Sequence, residues 1–140
     1  MSKKIFIFLF FFFINLNIFA NEIKNYFLLG KKYFDTNQLE KSKLYFEKDI
    51  VRNTKNISSY LYLAKIFKIK KQNDEYEKNL NTVLLLDPKN EEALYLFITK
   101  KIDDGDYNLA KKKLEIFTYS CNKICNKSNE LDQLVNKLKS

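Results

Sequence analysis

The stretch at 23–36, which reads IKNYFLLGKKYFDT, shares one pattern of large and small side chains with the stretch at 57–70, which reads ISSYLYLAKIFKIK. The apolar residues of both follow the three-to-four-residue spacing of a helix with one buried face. Aligned without a gap, the stretches match at a constant 34-residue interval, which pairs Tyr26 with Tyr60, Leu29 with Leu63, Gly30 with Ala64, and Tyr33 with Phe67.

The same interval continues in the residues that follow each stretch. Phe46, Leu80 and Leu114 also recur at the 34-residue interval, which predicts a second helix in each unit. Pro88 ends the second of these helices, because the residue before a proline is driven out of the helical conformation. Gly105 can adopt the backbone angles of a tight turn, and Asp106 can cap the helix after it. The pattern therefore predicts pairs of helices joined by short turns.

A helix-turn-helix unit of this length resembles the tetratricopeptide repeat family, whose period is about 34 residues. In that family the two helices of a unit cross closely at small residues, here Gly30 and Ala64 in first helices and Ser42 and Ala110 in second helices. The resemblance implies an all-α fold, an α-solenoid of about three repeats with a terminal capping helix. The implied segments are units at about 23–56, 57–90 and 91–124 and a capping helix at about 129–139.

The third unit departs from the family pattern, and so does one position of the second unit. Tyr76 stands where a small residue is expected, and Ile98 and Lys101 replace the small and aromatic residues of the third first helix. A shift of one residue would instead place Thr99 and Ile102 there, but it would break the ungapped match at Gly105 and Ala110. Three units are expected, with two units and a helical tail as the alternative.

The first twenty residues are interpreted as an export signal. Lys3 and Lys4 precede an apolar run at 5–19, and Ala20 supplies the small residue expected at a cleavage site. The alternative is an uncleaved membrane anchor, although 15 helical residues span only about 22 Å of a hydrocarbon core about 30 Å thick. Both interpretations place residues 21–140, the predicted repeat domain, outside the cytoplasm, in a periplasm or at a cell envelope.

Composition argues against catalysis and against nucleic acid as a partner. The chain has no His, the commonest general base and a frequent metal ligand, and it has no nucleophile motif or Gly-rich loop. We therefore expect no enzyme activity, no cofactor and no metal site.

Arg52 is the sole arginine, and no cluster of basic residues suggests nucleic-acid binding. Without residues 1–20 the net charge is +6, which favours solubility or attraction to acidic peptides or anionic lipid.

The family resemblance also implies where a ligand binds. Ligands of such repeats usually lie on the concave face formed by the first helix of each unit. The residues predicted for that face are Phe27, Lys31, Phe34, Leu61, Tyr62, Lys65, Lys68, Tyr95 and Thr99. One branch of the family binds peptide carboxylates with Lys and Asn residues, but the Asn members are missing here. The alternative is that the apolar residues pack between helices and the lysines are solvated.

Cys121 and Cys125 are expected to form a structural disulfide, since export places them in an oxidising compartment. In the repeat register Cys121 corresponds to Asp87, just after the second helix. If this segment were continuous helix, the bond would be strained and both thiols could remain reduced. A count of two free thiols on the exported protein would contradict the disulfide.

These observations predict an exported, non-catalytic scaffold or adaptor that binds a partner protein or peptide on its concave face. The alternative is a membrane-anchored structural component that retains residues 1–20 and whose basic helices contact anionic lipid. The sequence does not determine the identity of the partner or the oligomeric state.

Overall fold

The computed structural model describes residues 25–137, and within this range the chain forms seven α-helices and no strand. The all-α prediction is confirmed for this part, whereas the predicted signal peptide at 1–20 lies outside the described residues. In chain order the helices are α1 (Tyr26–Asp35), α2 (Leu39–Arg52), α3 (Ile57–Ile69), α4 (Asn73–Leu86), α5 (Glu91–Asp103), α6 (Tyr107–Ser120) and α7 (Lys127–Lys137).

The helix boundaries repeat the 34-residue interval. The first helices end at Asp35, Ile69 and Asp103, and the second helices begin at Leu39, Asn73 and Tyr107. The turn inside each unit contains one residue with positive φ, at the same position each time: Asn37 (56°), Lys71 (56°) and Gly105 (78°). The third unit therefore keeps the ungapped phase, and the alternative shift of one residue is wrong.

An asparagine caps the N-terminus of the first helix in each of the three units. Asn25, Asn56 and Asn90 each accept a hydrogen bond from the backbone amide three residues later, at 3.1, 3.4 and 3.1 Å. Such caps satisfy amides that lack a partner inside the helix. Asp106 caps α6 in the same way through the Leu109 amide, and α4 ends just before Asp87. Local sequence thus determines where these helices begin and end.

The core runs through the units along the face where paired helices meet. Each first helix packs on the second helix of its unit, and consecutive units contact through α2 and α3 and through α4 and α5. Phe46, Leu80 and Leu114 are buried at matching positions of the second helices. The last helix, α7, begins at Lys127, two residues before the predicted position. It covers the third unit with Leu131 and Val135, whose side chains are buried.

The first unit shows why a small residue is needed where the helices cross. A Cβ atom added to Gly30 would lie 2.7 Å from the ring of Phe46. On the facing helix, the Ser42 hydroxyl donates a buried hydrogen bond of 2.9 Å to the Gly30 carbonyl. The close contact of α1 and α2 thus depends on both small residues.

In the second and third units, two residues that depart from the family pattern form contacts between neighbouring units. Tyr76 is buried, and its hydroxyl donates to the Leu96 carbonyl of α5 at 3.2 Å. The Lys101 ammonium is largely buried and pairs with Glu77 of α4. Burial opposes the charged ammonium, but the hydrogen bond and charge of Glu77, together with Asp104, raise the pKa of Lys101 above its usual value. Both residues therefore connect the second unit to the third.

Candidate functional site

The aromatic members of the predicted face pack on one another and on the core. The Tyr62 ring stacks on Phe46, with ring centroids 4.9 Å apart, and meets the edges of Phe27 at 6.0 Å and Phe34 at 5.1 Å. These contacts join α1, α2 and α3 into one cluster. The three face residues in it, Phe27, Phe34 and Tyr62, are partly exposed. They therefore contribute to the packing between these helices and keep part of their surface exposed.

The two matching lysines of the face both form ion pairs. The Lys31 ammonium lies 2.7 Å from the Asp35 carboxylate, one turn further along α1, and the hydrogen bond to Asp35 raises the pKa of Lys31. The Lys65 ammonium lies 2.7 Å from Glu92 at the start of α5 and 4.9 Å from the centre of the Tyr62 ring. Lys65 thus connects the first helices of the second and third units, whereas Lys31 pairs within its own helix and remains exposed.

Lys68 and Thr99 contribute less to a binding surface. Lys68 is exposed, and its ammonium lies 5.9 Å from the centre of the Tyr76 ring. The Thr99 hydroxyl donates to the backbone carbonyls of Tyr95 and Leu96, at 3.1 and 2.9 Å. Because that donor is already engaged inside α5, Thr99 offers a ligand little more than an acceptor.

A pocket of about 600 Å³ lies where α3 and α5 approach the loop before α7. Two members of the predicted face, Leu61 and Tyr95, line it together with Ile124 from that loop. Its charged lining residues are Asp87, Lys89, Glu91, Glu92, Lys123 and Lys127. Sequence reasoning predicted a disulfide in this loop but missed its contribution to the face, because the loop reaches the face only through folding.

Glu91 holds that loop in place. Its carboxylate accepts hydrogen bonds from the consecutive backbone amides of Asn122, Lys123 and Ile124, at 2.8, 2.9 and 3.0 Å. The bond from Lys123, supported by the other two amides and by the Lys123 charge, holds the pKa of Glu91 below its usual value against the opposing effect of desolvation. Glu91 therefore binds the loop, and its neighbour Glu92 pairs with Lys65.

The loop also contains both cysteines. In the structure Cys121 and Cys125 are joined as a disulfide, with Cα atoms 5.3 Å apart. The segment is not continuous helix, because α6 ends at Ser120 and α7 begins at Lys127. The disulfide and the Glu91 carboxylate thus close the same short loop, one by a covalent bond and the other by three hydrogen bonds.

Replacing Glu91 by glutamine should lower the thermal midpoint at neutral pH by a few degrees, because a neutral amide accepts hydrogen bonds more weakly than a carboxylate. The contribution of Glu91 is fully present above its unfolded pKa, near 4.5, and is lost as the pH falls through its lowered folded pKa. The difference between wild type and variant should therefore shrink in strong acid. Melting curves across pH check this, with Glu115→Gln as a control at an exposed carboxylate. A difference that is constant with pH would contradict it.

One row of exposed apolar residues lies outside the predicted face. Val51, Leu85 and Tyr119 occupy the same position near the end of α2, α4 and α6, and they are 81%, 80% and 87% exposed. Their 34-residue spacing is visible in the sequence, but only the structure shows that the position is unburied. This row is a second candidate binding surface, and an experiment that assigns binding to the first-helix face must distinguish the two.

Two further classes of site were sought in residues 25–137. Within this range no group of three or more His, Cys, Asp or Glu side chains is arranged to hold a metal ion. None of the helices described there has both the length and the apolar character needed to cross a membrane.

Comparison with known proteins supports the fold that the repeats predict. No family model matches the chain. No curated protein sequence matches it either. Among solved structures, it is similar to the TPR2B domain of yeast Sti1 in a complex with pHsp70, with a TM-score of 0.66 and 22% sequence identity. That match covers 80% of this chain and 91% of the Sti1 chain. The chain therefore has a tetratricopeptide-like fold.

Proposed function

We propose that the protein is an exported, non-catalytic scaffold or adaptor of the cell envelope that binds a partner protein or peptide on its first-helix face. The tetratricopeptide-like fold supports a role in protein–protein interaction, and the similar Sti1 domain is itself found in a complex with pHsp70. The observation that carries the proposal is the pocket between α3, α5 and the disulfide loop, because it adds a concave, partly apolar cavity to the predicted face.

The lining of this pocket indicates what kind of partner segment would fit. Leu61, Tyr95 and Ile124 form an apolar surface that could bury one side chain of a partner. Lys89 and Lys123 at its edge form no ion pair within residues 25–137, whereas Lys65 is already paired with Glu92. A partner segment with an apolar residue beside an acidic one would therefore fit best.

Site-specific crosslinking in intact cells tests this proposal. A photoreactive residue at Lys68 or Lys123 would report on the first-helix face and the pocket, and the same residue at Lys78 or Lys112 provides the control. All four lysines are exposed, and the control positions lie on the second helices α4 and α6. We expect a discrete crosslinked partner from the first two positions only. Equal adducts from all four positions, or adducts from α4 and α6 alone, would disprove the assignment of the face.

The alternative function is a membrane-anchored structural component that retains residues 1–20. Sequencing the N-terminus of the exported protein distinguishes the two, because a chain that begins at Asn21 has lost the anchor. A cationic surface at the N-terminal end of the repeat stack supports this alternative. The residues of that surface do not belong to the first-helix face.

A further inference from the structure

Three tyrosine rings lie together at the end of the stack where the described chain begins. The Tyr33 and Tyr45 rings are stacked, with centroids 5.3 Å apart and an angle of 9° between their planes. The centroid of the Tyr26 ring lies 6.1 Å from that of Tyr45, and the two rings are tilted by 38°. Tyr26 and Tyr33 come from α1 and Tyr45 from α2, so the rings span both helices of the first unit. All three are partly exposed.

Three exposed cations lie over these rings. The Arg52 guanidinium is 4.5 Å from the centre of Tyr26, the Lys48 ammonium is 5.6 Å from Tyr45, and the Lys41 ammonium is 5.4 Å from Tyr33. Such contacts hold cations in place without neutralising their charge. We refer to these residues as the N-terminal end face, which consists of Tyr26, Tyr33, Tyr45, Lys41, Lys48 and Arg52.

Within residues 25–137, no carboxylate forms an ion pair with these three cations. Lys41 is hydrogen-bonded only to the side-chain oxygen of Gln38, at 2.9 Å. Asp35 pairs with Lys31, and Asp49 accepts hydrogen bonds from Asn56 and Ser59, both at 2.6 Å. The N-terminal end face therefore carries three positive charges, none of which forms an ion pair within the described residues.

The second unit shows what normally covers this position. Phe67 and Asn79, the counterparts of Tyr33 and Tyr45, are only 6% and 8% exposed. Lys43 of α2, in the preceding unit, lies 5.8 Å from the centre of the Phe67 ring. Within residues 25–137 no helix precedes α1, so no described preceding unit lies over this end of the stack.

We propose that the N-terminal end face docks on an anionic membrane surface. The three unpaired cations favour an anionic occupant, and a second copy of this face would bring like charges together. Tyrosine suits the headgroup region, where its ring and hydroxyl meet apolar and polar surroundings. The apolar run at 5–19 precedes Asn25 by six residues, which span at most about 20 Å. Whenever that run enters a membrane, this end of the stack is therefore held near the headgroups.

Vesicle binding tests the proposal independently of the partner-binding face. The full chain is expressed with its own N-terminus, and the protein recovered after export is mixed with vesicles of phosphatidylcholine, with or without 30 mol% phosphatidylglycerol. The measured quantity is the ratio of the two partition coefficients, because any retained apolar segment contributes to both. The test variant is Lys41→Gln/Lys48→Gln/Arg52→Gln. The control, Lys71→Gln/Lys111→Gln/Lys112→Gln, removes the same charge from exposed positions elsewhere.

We expect the end-face variant to reduce the ratio about tenfold or more, since each basic residue near an anionic surface contributes appreciably to binding. The control should change it by less than about threefold, and added salt should weaken wild-type binding. Circular dichroism should show unchanged helicity for both variants. Equal losses in the two variants, or no loss in either, would overturn the proposal. Binding of the face to poly-glutamate but not to anionic vesicles would also overturn it, and would identify an acidic peptide as the occupant.

Discussion

The Tyr76→Ala variant is expected to lose about 3–5 kcal/mol of unfolding free energy, the usual cost of removing a buried aromatic ring. The family pattern alone suggests the opposite, because a small residue is typical at this position. In this fold the Tyr76 ring is 2% exposed, and its hydroxyl is bonded to the Leu96 carbonyl of the next unit. Alanine would leave a cavity between α4 and α5 and remove the hydrogen bond from Tyr76 to the next unit.

Urea unfolding followed by far-UV circular dichroism measures this loss, which corresponds to a decrease in Tm on the order of 10–20 °C. Tyr76→Phe is the matched control, since it keeps the ring and removes only the hydroxyl, at an expected cost of about 1 kcal/mol. Burial, with a smaller effect of the Asp103 carboxylate, raises the pKa of Tyr76 well above its usual value. The hydroxyl therefore stays protonated through neutral pH. An alanine variant as stable as wild type would show that the ring does not join the units.

Phe46→Ala is expected to destabilise the first unit by about 3–5 kcal/mol. The ring is fully buried, and it contacts the rings of Phe27 and Tyr62 with centroids 5.9 and 4.9 Å away. Removing the Phe46 ring would leave a cavity in the core. It would also remove the support on which Phe27 and Tyr62 of the predicted binding face pack. We therefore expect weaker crosslinking from Lys68 together with the loss of stability.

Gly30→Ala supplies a second, independent test of the same contact. In the wild-type background the added methyl group would lie 2.7 Å from the Phe46 ring, and we expect a cost of about 1–3 kcal/mol from overpacking. In the Phe46→Ala background that clash is absent, so the substitution should cost little there. The double-mutant cycle measures this coupling. Additive effects of the two substitutions would mean that Gly30 is not required for the close contact with Phe46.

Local signals account for the parts of the fold that were predicted correctly. The 34-residue interval, the Asp106 cap, the helix end before Pro88 and the turn at Gly105 each depend on neighbouring residues, and each is present in the structure. The phase of the third unit, which the sequence left open, is decided by the structure, because its turn and helix ends follow the ungapped interval despite Ile98 and Lys101. Whether the predicted face binds a partner remains a prediction.

The long-range contacts, most of which join different units, were not predicted, because they connect residues far apart in the chain. Glu91 binds amides more than thirty residues away, and the pairs Lys65–Glu92 and Lys101–Glu77 cross from one unit to the next. No local pattern distinguishes these lysines from solvated ones. Their partners depend on the angle and distance at which successive helix pairs stack, and these are determined by side-chain packing along the whole core.

By itself the sequence determined the repeat length, the helix pairs and the apolar residues of the core, since helical periodicity and turn chemistry are local properties. Tertiary structure alone decided which charges are paired and which surfaces stay open. It engages Lys31 and Lys65 in ion pairs, brings the disulfide loop beside Tyr95, and leaves Arg52 with its neighbouring cations uncovered at the first unit. The physical reason is that each unit covers one face of the next, so the environment of a side chain depends on its place in the stack.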